Sequence, residues 1–209
     1  MKLTGSQTRE FLDAVAALPP LPTDVSGLGP AIETRAQLTG KLVVQCFGIQ
    51  ITNDSAGVQL LDQLLNAMHD SMNLHGLAKW SSREASEADA NLVAVSLGAL
   101  FGEINRARFE GEWDLAEIQG RRFIVLSTPH GQKFTPLQKA GKQFLNGKED
   151  SILFTFGLVG KIAEAAARIA KLSPEEREAR RKQALDTIAK RRAAGREKGL
   201  GESSQDSTK

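Results

Sequence analysis

The sequence predicts an α+β fold: one predominantly helical domain with a small antiparallel sheet. Three observations carry this. Apolar residues recur at helical spacing over most of the 209-residue chain. Cap residues, prolines and glycines punctuate those stretches where helices start and stop. Residues 113–127 break the pattern with two short β-prone runs about a glycine turn.

The length suits one domain with extensions. Apolar content is 41% and charged content 25%, ordinary for a globular chain. No apolar run approaches the roughly 20 residues of a membrane helix. The first six residues lack the apolar core of a secretory signal. No membrane partner is therefore expected. Cys46 is the single cysteine, which excludes an internal disulfide and makes a cytoplasmic location the expectation. Net charge is +2 but unevenly placed, because residues 171–209 hold 11 basic and 7 acidic side chains. The rest is mildly acidic, unlike the strongly basic face of a dedicated nucleic-acid domain.

Three segments follow from the punctuation. Residues 1–29 read as an N-terminal helix and a Pro-rich connector. Residues 30–170 read as the globular α+β domain. Residues 171–209 read as a charged basic helix and a disordered tail.

Phe11, Leu12, Val15 and Leu18 predict a short helix over residues 8–18, ended by Pro19-Pro20-Leu21-Pro22. The prolines read as a stiff connector rather than a polyproline ligand, since no basic residues flank them. Pro30 suits the first turn of a second helix, with Ile32, Ala36, Leu42, Val43 and Phe47 along it and Gly48 as its stop. Gly40 weakens that helix. The competing reading is a strand through residues 42–44 and 49–51. Cys46 reads as core filler. Asn53-Asp54-Ser55 offers caps for a third helix with a wide stripe of Leu60, Leu61, Leu64, Leu65 and Met68. His69 and His75 lie near its end, six residues apart, which is no standard ligand spacing on a helix. Trp80 and polar residues lead onward.

Residues 86–108 predict a long central helix, with Ser86 as N-cap and Asp89 in its acidic first turn. Leu92, Val95 and Ala99 mark an apolar face. Ala90, Ala94, Gly98 and Gly102 form a strict four-residue period beside it. A glycine inside a helix costs about 1 kcal/mol against alanine, so something must pack there at close range. The neighbouring element of the same domain is the preferred occupant. A partner or ligand backbone is the alternative, which makes Gly98 and Gly102 candidate partner-binding positions.

The hairpin follows, with Gln119-Gly120-Arg121 between its strands. Phe123-Ile124-Val125-Leu126 is apolar on both faces and predicts cover on both sides. Residues 132–134 are a candidate third strand. Thr135-Pro136-Leu137-Gln138 predicts a helix start with a capping box, Leu137, Ala140, Phe144 and Leu145 its inner stripe and Gly147 its close. The helix after Asp150-Ser151 is apolar nearly all round in its first half, which predicts burial. Ser173-Pro174-Glu175-Glu176 opens a last helix, to about residue 194, with only Leu185 and Ile188 as large apolar residues beyond Leu172.

The sequence carries few signatures of catalysis. Glu110, Glu112 and Asp114 alternate, so a strand would turn all three to one face, where they could hold Mg²⁺ or Ca²⁺ for a metal-dependent hydrolase or nuclease. A solvated hairpin entry is the preferred reading. No Gly-x-Ser-x-Gly, His-Glu-x-x-His or phosphate-loop motif occurs. No cofactor is expected. The last helix, with Arg181 and Arg191 among its cations, could contact nucleic-acid phosphates or serve as a partner-binding arm. Its interleaved acids and lack of aromatic residues favour a solvated helix or the arm over nucleic-acid contact.

The order of features resembles a group of uncharacterised bacterial domains of unknown function. The resemblance runs from about residue 30 to 170. It rests on the helix ending Phe47-Gly48, the Leu-rich helix after Asp54-Ser55 and the Ser-Leu-Gly-x-Leu-x-Gly-Glu run of residues 96–103. It continues through the Trp113 hairpin, Phe134-Thr135-Pro136 and the turn over residues 146–151. It implies a compact α+β domain, similar in character to immunity proteins that neutralise toxins of bacterial secretion systems, and it carries no catalytic residues. The Phe11 helix and the basic C-terminal helix depart from the group. The leading expectation is a non-catalytic cytoplasmic module that binds another protein, a toxin in its specific form. The alternatives are the metal-dependent enzyme and a nucleic-acid accessory protein.

Overall fold

The computed structural model describes residues 1–73 and 83–201. Its elements are α1 (Gly5–Ala16), α2 (Leu28–Phe47), α3 (Ser55–Asn73), α4 (Arg83–Phe109), β1 (Glu112–Ile118), β2 (Arg121–Ser127), β3 (Lys133–Phe134), α5 (Pro136–Asn146), α6 (Ile152–Ala170) and α7 (Pro174–Gly201), with a 3-10 turn over Gly147–Asp150. This is the helical α+β fold with a three-stranded antiparallel sheet, in the order β1-β2-β3. His75, Trp80, the side chains of Ser86 and Arg191, and the tail beyond residue 201 lie outside the described residues.

The chain divides into two compact units, Met1–Ala163 and Glu164–Lys209. In the first unit the N-terminal helix is part of the core, since Phe11, Leu12 and Val15 are buried with Ile32, Leu61, Leu65, Leu97 and Phe101. Each such side chain taken out of water contributes about 1.5–3 kcal/mol. α1 starts before the expected Thr8, because Thr4 and Gln7 form a capping box: Gln7 N donates to Thr4 Oγ1 at 3.2 Å and Thr4 N to Gln7 Oε1 at 3.1 Å. A second helix, not a strand, spans residues 42–47. Gly48 closes it at φ 68°, in the left-handed conformation glycine accepts without strain. Asp54 starts α3 by accepting from Gly57 N at 2.9 Å.

Local rules fail at α5. Pro136 takes the first turn as expected, but Thr135 makes no side-chain cap bond. Its ψ of 78° departs from the extended backbone, 153° at Thr4, that aims a cap hydroxyl at the helix N–H groups. The predicted capping box is absent, and Gln138 Oε1 is left buried without a partner. α6 departs further: Ile152 and Val159 are buried, but Phe154 is 72% exposed. Periodicity reports an apolar surface and not what covers it.

Gly98 and Gly102 fix how α5 meets α4. A Cβ on Gly98 would sit 2.6 Å from Leu137 Cα, and one on Gly102 would run into the Trp113 ring. Gly141 returns the contact from α5, its Cα face lying against Ala94 and the Ala90 carbonyl. The hairpin turn uses two residues rather than three, with Gln119 at φ 53° and Gly120 at φ 73°. Two left-handed residues match the strand twist. In the second unit, Ser173 and Glu176 form a capping box that starts α7, Ser173 N donating to Glu176 Oε2 at 2.8 Å. The helix continues past the expected end near residue 194, into the segment read as disordered tail, because Ala193, Ala194, Arg196, Glu197 and Lys198 are good helix formers.

Gly98→Ala is expected to lower stability by about 1–3 kcal/mol, seen as a lower urea midpoint at unchanged slope. Gln119→Asn is expected to raise stability by about 0.5–1 kcal/mol, because asparagine tolerates the left-handed conformation. A rise in Tm of about 2 °C would report it.

Candidate functional site

The three alternating carboxylates do not form a site. Glu110 precedes the strand and sits at the α4–β1 corner with φ 51°, so the strand phase does not reach it. Asp114 is engaged by Lys133 on β3, Nζ to Oδ2 at 3.2 Å, and accepts from Leu115 N at 2.7 Å. Those bonds, the Lys133 one foremost, hold its carboxyl below the usual range. Among the described residues no three His, Cys, Asp or Glu side chains are grouped as a metal site. Alternation alone placed all three on one face, but the corner turn takes Glu110 out of the strand and Lys133 engages Asp114.

The glycine seam is taken up by the domain itself. Gly98 and Gly102 are buried, under the Leu137 backbone and under Trp113 with Pro136. Trp113 Nε1 donates to Glu103 Oε1 at 2.7 Å, and Glu103 also holds Arg106 at 2.8 Å. The candidate partner-binding role of these two glycines therefore has no free surface behind it.

The remaining candidates are dispersed. His69 Nδ1 lies 2.8 Å from the Phe144 carbonyl and its ring packs where a Gly147 side chain would be. Cys46 is half-buried against the core, and burial together with Glu10 raises its thiol pKa. Arg181 is exposed on α7, 3.8 Å from Glu178 in a pair of little consequence in water. All the α7 side chains from Glu175 to Lys190 are exposed.

Two features stand out instead. The first is Arg35, only 5% exposed. It occupies α2 one turn from Ile32 and Thr39, on the core face. Its Nη2 donates to the Val15 carbonyl at 3.0 Å and to Ser96 Oγ at 2.9 Å, its Nη1 to the Pro19 carbonyl at 2.8 Å, and its Nε to Ser96 Oγ at 3.3 Å. The Val15 carbonyl, in the last turn of α1, carries the negative end of the helix dipole, which offsets part of the cost of burying the charge. Burial still pushes the guanidinium below its ordinary pKa. Arg35 forms part of the floor of a groove of about 680 Å³. Leu18 and Leu21 of the connector, Leu92 and Val95 of α4, and Leu115 and Ile124 of the sheet wall it, with Asn91 and Arg122 also in the lining. Sequence reading missed Arg35, although a cation in phase with the Ile32, Ala36 and Val43 stripe was the available signal.

The second feature is the outer face of α6. Phe154, Leu158 and Ile162 recur every four residues, so they share one side of the helix, and they are 72%, 47% and 44% exposed. Opposite them, Phe156 meets Phe109 with ring centres 5.6 Å apart, and Val159 is buried.

Because the Lys133 bond lowers the Asp114 pKa, its contribution to stability is present above the unfolded value and lost as pH falls through the folded one. An NMR titration of the Asp114 carboxyl is expected to give a midpoint below the ordinary aspartate value, and Lys133→Gln is expected to move it upward. Against this geometry, no protein-family model, curated protein or solved structure matches the chain.

Proposed function

We propose that the protein is a non-catalytic module that binds another protein through the outer face of α6. The observation that supports this is the exposed stripe of Phe154, Leu158 and Ile162. Scattered apolar residues are normal on a surface, whereas an aligned set of large ones marks an interaction site. A partner laying an apolar helix or groove along the stripe would use its i, i+4 spacing as anchors. The absence of nucleophile and phosphate-loop motifs in the sequence supports a binding role over a catalytic one. The specific form implied by the resemblance is neutralisation of a toxin, with this face as the occluding surface.

The test is a double variant, Phe154→Gln with Leu158→Gln, in the full chain. Both side chains project outward, so stability is expected to change by no more than about 0.5 kcal/mol. Cross-linking in native lysate is expected to join one defined protein to the α6 face of the wild type and not to the double variant. Loss of that protein's toxicity on mixing with the wild type, but not with the variant, would carry the immunity form. A partner captured equally by both chains, or cross-links away from α6, overturns the proposal.

A further inference from the structure

We propose a second site, independent of the α6 face: the groove over Arg35 binds a small amphipathic carboxylate, an apolar chain with an anionic head. Three observations converge. The groove has a volume of about 680 Å³, within the roughly 300–1,000 Å³ typical of small-molecule sites. Its walls are mainly aliphatic side chains from the connector, α4 and the sheet, and its lining contains two arginines and no carboxylate. Among the described residues neither arginine is in an ion pair.

The two cations have different parts. Arg35 spends four N–H interactions on Val15, Pro19 and Ser96. A guanidinium has five N–H hydrogens, and the second one on Nη1 has no partner among the described residues. Its buried positive charge is therefore fixed in place and compensated by dipoles rather than by an anion. Arg122 is exposed on β2 with its donor fork uncommitted, although Glu117 is its cross-strand neighbour. A carboxylate beside Arg122 accepts two parallel bonds from the fork, and Arg35 adds an unneutralised charge in a low-dielectric floor. The aliphatic walls take the chain of such a molecule out of water. A neutral alcohol of the same length gains only the apolar part, and an inorganic anion gains only the charge.

The experiment titrates the full chain with decanoate, kept below its micelle concentration, and with decanol and acetate as controls. Amide shifts in two-dimensional NMR report the site. Saturable decanoate shifts are expected at Leu18, Leu21, Leu92, Leu115 and Ile124, with decanol and acetate each about tenfold weaker or more. Arg122→Gln is expected to weaken decanoate about tenfold and leave decanol unchanged. Asn91→Asp, which adds an acid to an exposed position of the lining, is expected to weaken decanoate without affecting folding. The Phe154→Gln/Leu158→Gln variant is expected to bind decanoate as the wild type does, so failure of one proposal leaves the other standing. Equal binding of decanoate and decanol, shifts that map outside the groove, or no effect of either groove variant overturns the assignment.

Discussion

Gly98 and Gly102, about one helical turn apart on α4, set the spacing at which the rest of the first unit can close. Without side chains there, the Leu137 backbone and the Trp113 indole lie directly on α4. Each glycine in a helix interior costs about 1 kcal/mol. That cost is offset by burying Trp113, Leu137 and Phe144 against Leu97 and Phe101 in one continuous core. The indole also ties β1 to α4, because the Trp113 N–H donates to Glu103, the residue after Gly102. A side chain at Gly98 would press on the α5 backbone, and one at Gly102 on the Trp113 ring of β1.

Buried and half-buried polar links hold the other elements in register around that contact. Asp62 of α3 accepts from Gln143 Nε2 at 2.9 Å and Ser151 Oγ at 2.7 Å, while Gln143 Oε1 accepts from Ile152 N at 2.8 Å. Three helices meet there, and the carboxylate lies at the positive end of α6. Thr8 and Ser71 share a hydrogen bond of 2.7 Å between α1 and α3. Arg9 joins α1 to Asp89 of α4 at 3.1 Å. Arg35 binds the end of α1 to Ser96. A satisfied buried network specifies one arrangement, because any other leaves its groups unpaired.

The two proposed surfaces are what this packing leaves over. α5 and Trp113 use the side of α4 that carries the glycines, and the Leu92 and Val95 side then meets the connector and the sheet across a groove with a buried cation in its floor. α6 turns Val159 and Phe156 inward and its Phe154 side outward. One apolar helix is therefore both a core element and an exposed face. The two surfaces differ in chemistry, one lined by two arginines and concave, the other uncharged along its stripe.

By itself the sequence determined the parts governed by neighbours along the chain. Helix spacing, the Gly48 stop, the Ser173 cap and the glycine turn of the hairpin are local, and each needs only a few residues to be satisfied. The small-residue seam announced a close contact for the same reason, since Gly98 and Gly102 have no other physical use in a helix. Tertiary structure alone decided who occupies that seam, that Glu110 falls outside β1 while Lys133 engages Asp114, that Thr135 fails to cap, and that α6 keeps an apolar side in water. It alone decided that Arg35 lies under a groove. Periodicity fixes the direction of a side chain relative to its own helix, but burial and pairing depend on which distant segment arrives against it.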